Sequence, residues 1–152
     1  MSEQRALNAL RELGLEQTIT RHGPVNSLAE AAEARGIAPA DIVKTLVVRR
    51  GEDDYLFVLV PGDRTFSWPK LRALLGVHRL SMPDAATAFD VTGYVRGTIT
   101  PFGATHPWPV IADSSIQGKR VSMGSGAPNV AIELDADAMI TVLNATVADI
   151  SD

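Results

Sequence analysis

Ile42-Val43-Lys44-Thr45-Leu46-Val47-Val48, then Gly51-Glu52-Asp53-Asp54, then Tyr55-Leu56-Phe57-Val58-Leu59-Val60, is the stretch that decides the fold. Two runs rich in β-branched and aromatic residues, separated by a short cluster of turn formers, predict a β-hairpin. The second run, Tyr55 to Val60, returns as the partner strand. The first run carries one lysine, which in a strand shares a face with Ile42, Leu46 and Val48. An ammonium among apolar neighbours costs free energy unless its head reaches water or an anion pairs with it. Two readings of Lys44 follow: a packed stem with a solvated head, or an anchored cation waiting for a phosphate or a developing negative charge.

Helix signals surround the hairpin. Residues 3–13 place Leu7, Leu10 and Leu13 on one stripe with Gly14 as the stop, and 15–20 is a candidate short strand. His22-Gly23-Pro24 is a break. Ser27-Leu28-Ala29-Glu30 is a capping box opening a helix that ends near Gly36. Pro39 to Val43 forms a further turn, and Lys44 stands at the start of the strand that runs to Arg50. After Pro61-Gly62-Asp63, Ser67 caps a helix with Pro69 in its first turn and Gly76 at its end. A short helix covers 84–89. The stretch 92–109 is rich in Gly, Pro and Thr, and long irregular loops in compact domains are usually functional. Strands are expected at 108–112, 119–123 and 129–134, Asp135 caps a helix to Leu143, and 145–150 is a closing strand. Short connections and a hairpin favour antiparallel or mixed pairing. The fold class is α+β, a curved, mostly antiparallel, barrel-like sheet flanked by helices, and 152 residues suit one domain over 1–152.

Composition narrows the function. Cysteine is absent, so thiol catalysis, disulfides and cysteine metal sites are excluded. No run approaches the roughly 20 apolar residues of a membrane span, and Met1 to Leu13 has no apolar signal region; the expectation is a cytoplasmic protein with no membrane partner. A net charge of −4 argues against a broad nucleic-acid-coating face, but not against gripping one end of a nucleic acid. There is no Walker loop, no complete dinucleotide fingerprint and no nucleophile elbow around Ser125. The three histidines, 22, 78 and 106, lack helical metal-ligand spacing. Neither metal nor cofactor is expected.

Besides Lys44, two glycine segments are candidates. Gly97-Thr98-Ile99-Thr100-Pro101, followed by Phe102-Gly103, combines a glycine that allows close backbone approach with a stiffening proline. Gly124-Ser125-Gly126 follows a predicted strand and can form an amide nest or a plain turn. Pro61-Gly62-Asp63 and Asp113-Ser114-Ser115 read as strand-end turns with local side-chain bonds. Trp68 and Trp108 read as packing residues, and His106 as a solvated loop residue.

In this order, Ser27 to Ala32, Ile42 to Val48, Val60 to Asp63, Leu71 to Gly76, Gly93-Tyr94, Gly97 to Gly103, Pro109 to Asp113 and Gly124 to Gly126 resemble the YbaK/EbsC-like aminoacyl-tRNA deacylases. These are related to the editing insertion domain of bacterial prolyl-tRNA synthetases. The resemblance runs from about Val25 to Ile150. It implies a mixed, largely antiparallel barrel-like domain and a trans-acting hydrolase that removes a small amino acid such as Ala, Cys or Ser from tRNA(Pro) or another tRNA. It assigns Lys44 to the terminal adenosine and Gly97 to Pro101 to the aminoacyl pocket. The implied partners are the acceptor end of aminoacyl-tRNA and an aminoacyl-tRNA synthetase. The insertion domains draw a histidine from near the second glycine segment, whereas Gly126-Ala127-Pro128-Asn129 has none. The alternative is an inactive module of the same fold that senses an aminoacyl-nucleotide or docks on a synthetase.

Overall fold

The computed structural model describes residues 2–152; Met1, at the head of the amphipathic stretch, lies outside them. The hairpin forms as expected from β2 (Val43–Gly51) and β3 (Asp54–Pro61), antiparallel, with Lys44 opposite Val60 and Asp53 in the left-handed region at the turn. Every residue of β3 from Tyr55 to Pro61 is buried. Tyr55, Phe57 and Leu59 belong to one core, while Leu56, Val58 and Val60 belong to a second on the opposite face of the sheet.

That double burial places β3 inside a four-stranded sheet of order β2-β3-β4-β7, with β4 (Val110–Asp113) and β7 (Thr146–Ala148) both added in parallel. A second, antiparallel sheet holds β1 (Thr18–Arg21), β6 (Val130–Asp135) and β5 (Arg120–Gly124) in the order β1-β6-β5. The expected curved sheet is thus two sheets, tied by a bridge between Ile42 and Ser122. The larger core lies where they face each other. Val43, Val47, Phe57 and Leu59 contribute from one side, Met123, Ile132 and Leu134 from the other, and Ala6, Leu10 and Met139 close it from the helices.

The helices are bounded by the predicted caps. Ser27 accepts from Glu30 N–H at the start of α2 (Leu28–Arg35), and Gly36 ends it at φ 70°. Ser67 does the same for α3 (Trp68–Leu75) and Asp135 for α5 (Ala136–Leu143). Several boundaries differ from expectation, among them β4 at Val110–Asp113 and β7 at Thr146–Ala148. The first helix, α1, is Ser2–Glu12, which leaves Leu13 outside it and exposed. The first strand starts at Thr18 because its register with β6 begins there. Helix α4 (Ala85–Thr92) runs one turn further than expected, carried by Ala88 and Thr92, which are both buried. Trp108 packs edge-on against Tyr55 and donates its indole N–H to Val91 O at 2.7 Å.

Asp113 does more than close a local turn. Its carboxylate accepts from the N–H and hydroxyl of Ser115, and from the N–H groups of Ile150 and Ser151 at 3.0 and 3.1 Å. It therefore clamps the last residues of the chain to the end of β4. Burial alone would raise its pKa, but these hydrogen bonds together hold the carboxyl below its ordinary value. Asp113→Ala is expected to lower the unfolding free energy by about 3 kcal/mol, measurable by urea titration. Because the folded pKa is depressed, the clamp contributes fully above the unfolded value of about 3.9 and is lost as pH falls through the folded one. The variant should therefore show a flatter acid limb of stability against pH; an unchanged limb would remove the clamp from the account.

Candidate functional site

β2 is an edge strand of its sheet, and its outer edge is closed only at its two ends. Ile42 bridges Ser122 at one end. At the other, Arg49 exchanges both backbone hydrogen bonds with Ser81, at 2.7 and 3.1 Å. Arg49 N–H and C=O thus point away from β3, and the antiparallel alternation turns those of Val47 and Thr45 the same way. Between the two bridges lies a cleft of about 360 Å³, lined by residues 42–47 of the strand region, Arg35, Met82, Pro83, Ala88, Arg96, Gly97, Ile99 and Gly124.

The lining holds three cations, Arg35, Lys44 and Arg96, and no carboxylate or histidine. Lys44 Nζ donates to Arg64 O at 2.9 Å. The other two lysines pair with acids, Lys70 with Asp149 and Lys119 with Asp41, each at 3.1 Å. Among the described residues Lys44 has no such partner, and an ammonium has two further protons to donate. Arg96 is exposed and donates to Pro83 O at 2.7 Å, beside the start of α4. Arg35 ends α2 and reaches across to Ser122 Oγ at 3.1 Å.

The glycine segments form one wall. Gly97 and Ile99 line the cleft, whereas Thr98 and Thr100 are buried behind it. Thr98 Oγ1 donates to Val95 O at 2.6 Å and Thr100 Oγ1 accepts from Phe102 N–H at 3.4 Å. Tyr94 closes the loop by donating to Phe102 O at 2.6 Å, and burial pushes its phenol upward in pKa. Pro101 is half-buried and outside the lining. Gly124 lies so close to this loop that a Cβ would sit 3.1 Å from the carbonyl oxygens of Thr98 and Ile99. Ser125 is fully buried and donates to Val130 O at 2.7 Å, and Gly126 N–H donates to Thr98 O at 2.8 Å. Lys44, Gly97, Ile99 and Gly124 thus meet at the cleft, while Thr98, Thr100, Ser125 and Gly126 fasten its wall from behind. His106 is exposed, beside Trp108.

Sequence reasoning passed over Arg35, Thr45, Met82 and Arg96. The signal for Arg35 was hidden, because a cation in the last turn of a helix is expected there for its favourable interaction with the helix dipole. A second groove lies beyond the Arg49–Ser81 bridge, at the far end of the same strand. It is lined by Arg49, Arg50, Gly51, Arg72, His78, Arg79, Leu80 and Ser81 and measures about 440 Å³. Arg50 is paired with Asp54 at 2.9 Å; among the described residues Arg49, Arg72 and Arg79 have no acidic partner. No helix among the described residues is long and apolar enough to cross a membrane.

Known proteins resemble this chain in sequence and fold. The chain is 27% identical over 126 residues to EbsC of Enterococcus faecalis, which bears the name Cys-tRNA(Pro)/Cys-tRNA(Cys) deacylase; the match covers 82% of this chain and 77% of that one. It is 34% identical over 106 residues to the proline–tRNA ligase of Thermosipho africanus, covering 70% of this chain but only 18% of the ligase. A crystal structure described as a trans-editing enzyme for prolyl tRNA synthetase superposes with a TM-score of 0.88 at 27% identity, over 99% of this chain and 97% of the other. The aminoacyl-tRNA editing domain model matches residues 22–142, most of the chain, and to that family this protein belongs.

Proposed function

We propose that this protein is a trans-acting aminoacyl-tRNA deacylase. It hydrolyses the ester between a wrong, small amino acid such as Ala, Cys or Ser and the terminal adenosine of tRNA(Pro) or of another tRNA. The observation that carries the reading is a cleft at an open strand edge with three cations, no acid and a wall narrowed by glycine. The 3′ end of a tRNA brings phosphates and a neutral ester, and such a lining suits both.

Lys44 keeps one proton on Arg64 O and gives the others to the phosphate or ribose of the terminal adenosine, which fixes the ester in place. Gly97, Ile99 and Gly124 contact the aminoacyl group, with Thr98, Thr100, Pro101, Ser125 and Gly126 holding that wall rigid. Outward-facing N–H groups of the β2 edge are placed to receive the ester oxygen as it gains charge. Water, or a neighbouring hydroxyl or thiol of the substrate, attacks the carbonyl carbon. The bond to the ribose oxygen breaks and that oxygen takes up a proton. An aminoacyl ester is already activated, so no strong protein nucleophile is required.

The body of the RNA then lies over the Arg49–Ser81 bridge along the arginine groove at the far end of β2. Its role is electrostatic, so it acts on binding rather than on the chemical step. A second reading, an inactive binding module, is favoured by one observation: no histidine or carboxylate in the lining is available as a general base.

Two experiments separate these readings. Single-turnover deacylation of Ala-, Cys- and Ser-charged tRNA(Pro), and of other mischarged tRNAs, should exceed the buffer rate, and Lys44→Ala should reduce it about 100-fold with little change in melting temperature. If no charged tRNA is cleaved above background, the hydrolase reading fails and the binding module stands. Separately, Arg49→Glu, Arg72→Glu and Arg79→Glu combined should raise KM on full-length tRNA about tenfold or more at low salt and flatten its salt dependence. Their kcat on a short aminoacyl-adenosine mimic should stay constant; a fall in kcat would place the groove in the chemistry instead.

A further inference from the structure

Arg35 is not explained by what surrounds it. Its Nη1 donates to Ser122 Oγ, but its Nε is buried with no hydrogen-bond partner among the described residues. No carboxylate pairs with it among the described residues. Burial lowers its pKa, yet a guanidinium remains protonated at any physiological pH. A half-buried cation paired only with a neutral hydroxyl is costly unless a ligand completes its shell.

The same cleft holds a second such atom. Thr45 Oγ1 is buried and also lacks a hydrogen-bond partner. Thr45 alternates with Lys44 along β2, so its side chain leaves the strand on the other face, the one that Val43 and Val47 share. Arg35 enters the lining from another element, the end of α2, held by Ser122, the residue that bridges Ile42. Two under-satisfied polar groups therefore line one cleft, from two elements, beside otherwise apolar residues such as Ile42, Val43, Ile99 and Ala88.

Lys44 and the arginine groove already account for the phosphates of the RNA. Arg35 needs a different oxygen. We propose that Arg35, assisted by Thr45, selects the aminoacyl side chain, and that the preferred substrate carries a hydroxyl or carboxylate oxygen there. This rests on the deacylase reading and refines it: Ser is preferred over Ala and Cys, its near-isosteres. A methyl or thiol in this position leaves a buried guanidinium without an acceptor. Sites built to hydrogen-bond a substrate oxygen reject analogues lacking it far more strongly than apolar pockets reject a change of size.

The test uses the full chain and two kinds of ligand. The first is tRNA charged with Ser, Thr, Asp, Ala or Cys, read as kcat/KM. Ser or Asp should exceed Ala and Cys about tenfold or more, with Ser, Thr and Asp as separate arms that tell hydroxyl from carboxylate. Arg35→Met should collapse that ratio toward one chiefly by losing the oxygen-bearing substrates, and Thr45→Val should narrow it. Equal loss on every substrate would make Arg35 a general contributor and overturn the selectivity. The second ligand is a set of amide-linked 3′-aminoacylamino-adenosines, which cannot be hydrolysed, measured by calorimetry. If turnover is absent but the seryl analogue still binds about tenfold tighter than the alanyl one, hydrolysis fails and the selectivity survives. Equal binding of the two by the wild-type chain overturns it. Melting curves of both variants distinguish lost folding from lost preference.

Discussion

From Tyr55 to Pro61 no residue of β3 reaches solvent, so both faces of this strand need covering and both of its edges need partners. The molecule is arranged around that requirement. One face is covered by the second sheet with α1 and α5, the other by Phe66, Leu71 and Ile150. Its edges are taken by β2 and β4, which leaves β2 at one edge of the sheet and β7 at the other. An exposed strand edge is a hazard, since its free N–H and C=O groups can recruit another chain. Here the hazard is contained by Ser81 and Ser122, which close the two ends, and the part left open is the cleft. The site is thus a consequence of how the central strand is buried.

A cleft that discriminates among small side chains needs walls that do not yield, because one methylene is worth only about 1–3 kcal/mol. The loop facing β2 meets this need through ties on both sides. Tyr94 fastens it to Phe102, Thr98 to Val95, and Gly126 to Thr98. Gly103 rests so close to α1 that a Cβ would come within 2.5 Å of the Arg5 backbone, and Gly124 presses on the other side. Glycine here serves close approach more than flexibility: it lets two backbones meet where side chains would hold them apart.

Much of this was legible in the chain. Ser27, Ser67 and Asp135 announced three helices, Gly36 and Gly76 ended two of them, and the turn formers Gly51 to Asp54 between two apolar runs announced the hairpin. The two-sheet division was not legible. β3 pairs with β4 across some fifty residues of loop and helix, and no local pattern names a partner so distant. Asp113 read as a local turn because its two other acceptor contacts come from Ile150 and Ser151 at the end of the chain. Lys44 stood out because a charge in an apolar strand breaks the pattern. Arg35 did not, because a basic residue at a helix end fits the pattern and only the assembled structure shows it half-buried.

The acidic balance of the chain, −4 overall, sharpens what the cations can do. Against an acidic background, Lys44, Arg96 and the arginine groove form a local track of positive charge rather than a broad basic face. Such a track attracts a polyanion over roughly a Debye length, about 8–10 Å at physiological salt, and the acidic remainder weakens contact elsewhere. Under the proposed function, grip is thereby confined to one end of the RNA. Burial then divides the labour along the track. The exposed arginines act through screened, non-directional attraction, which brings a phosphate backbone close without reading it. Arg35 keeps its Nε out of water, in a less polar place where an unmet donor costs more. The same residue type thus stands at different depths: exposed at the surface, and half-buried with its Nε out of water in the cleft.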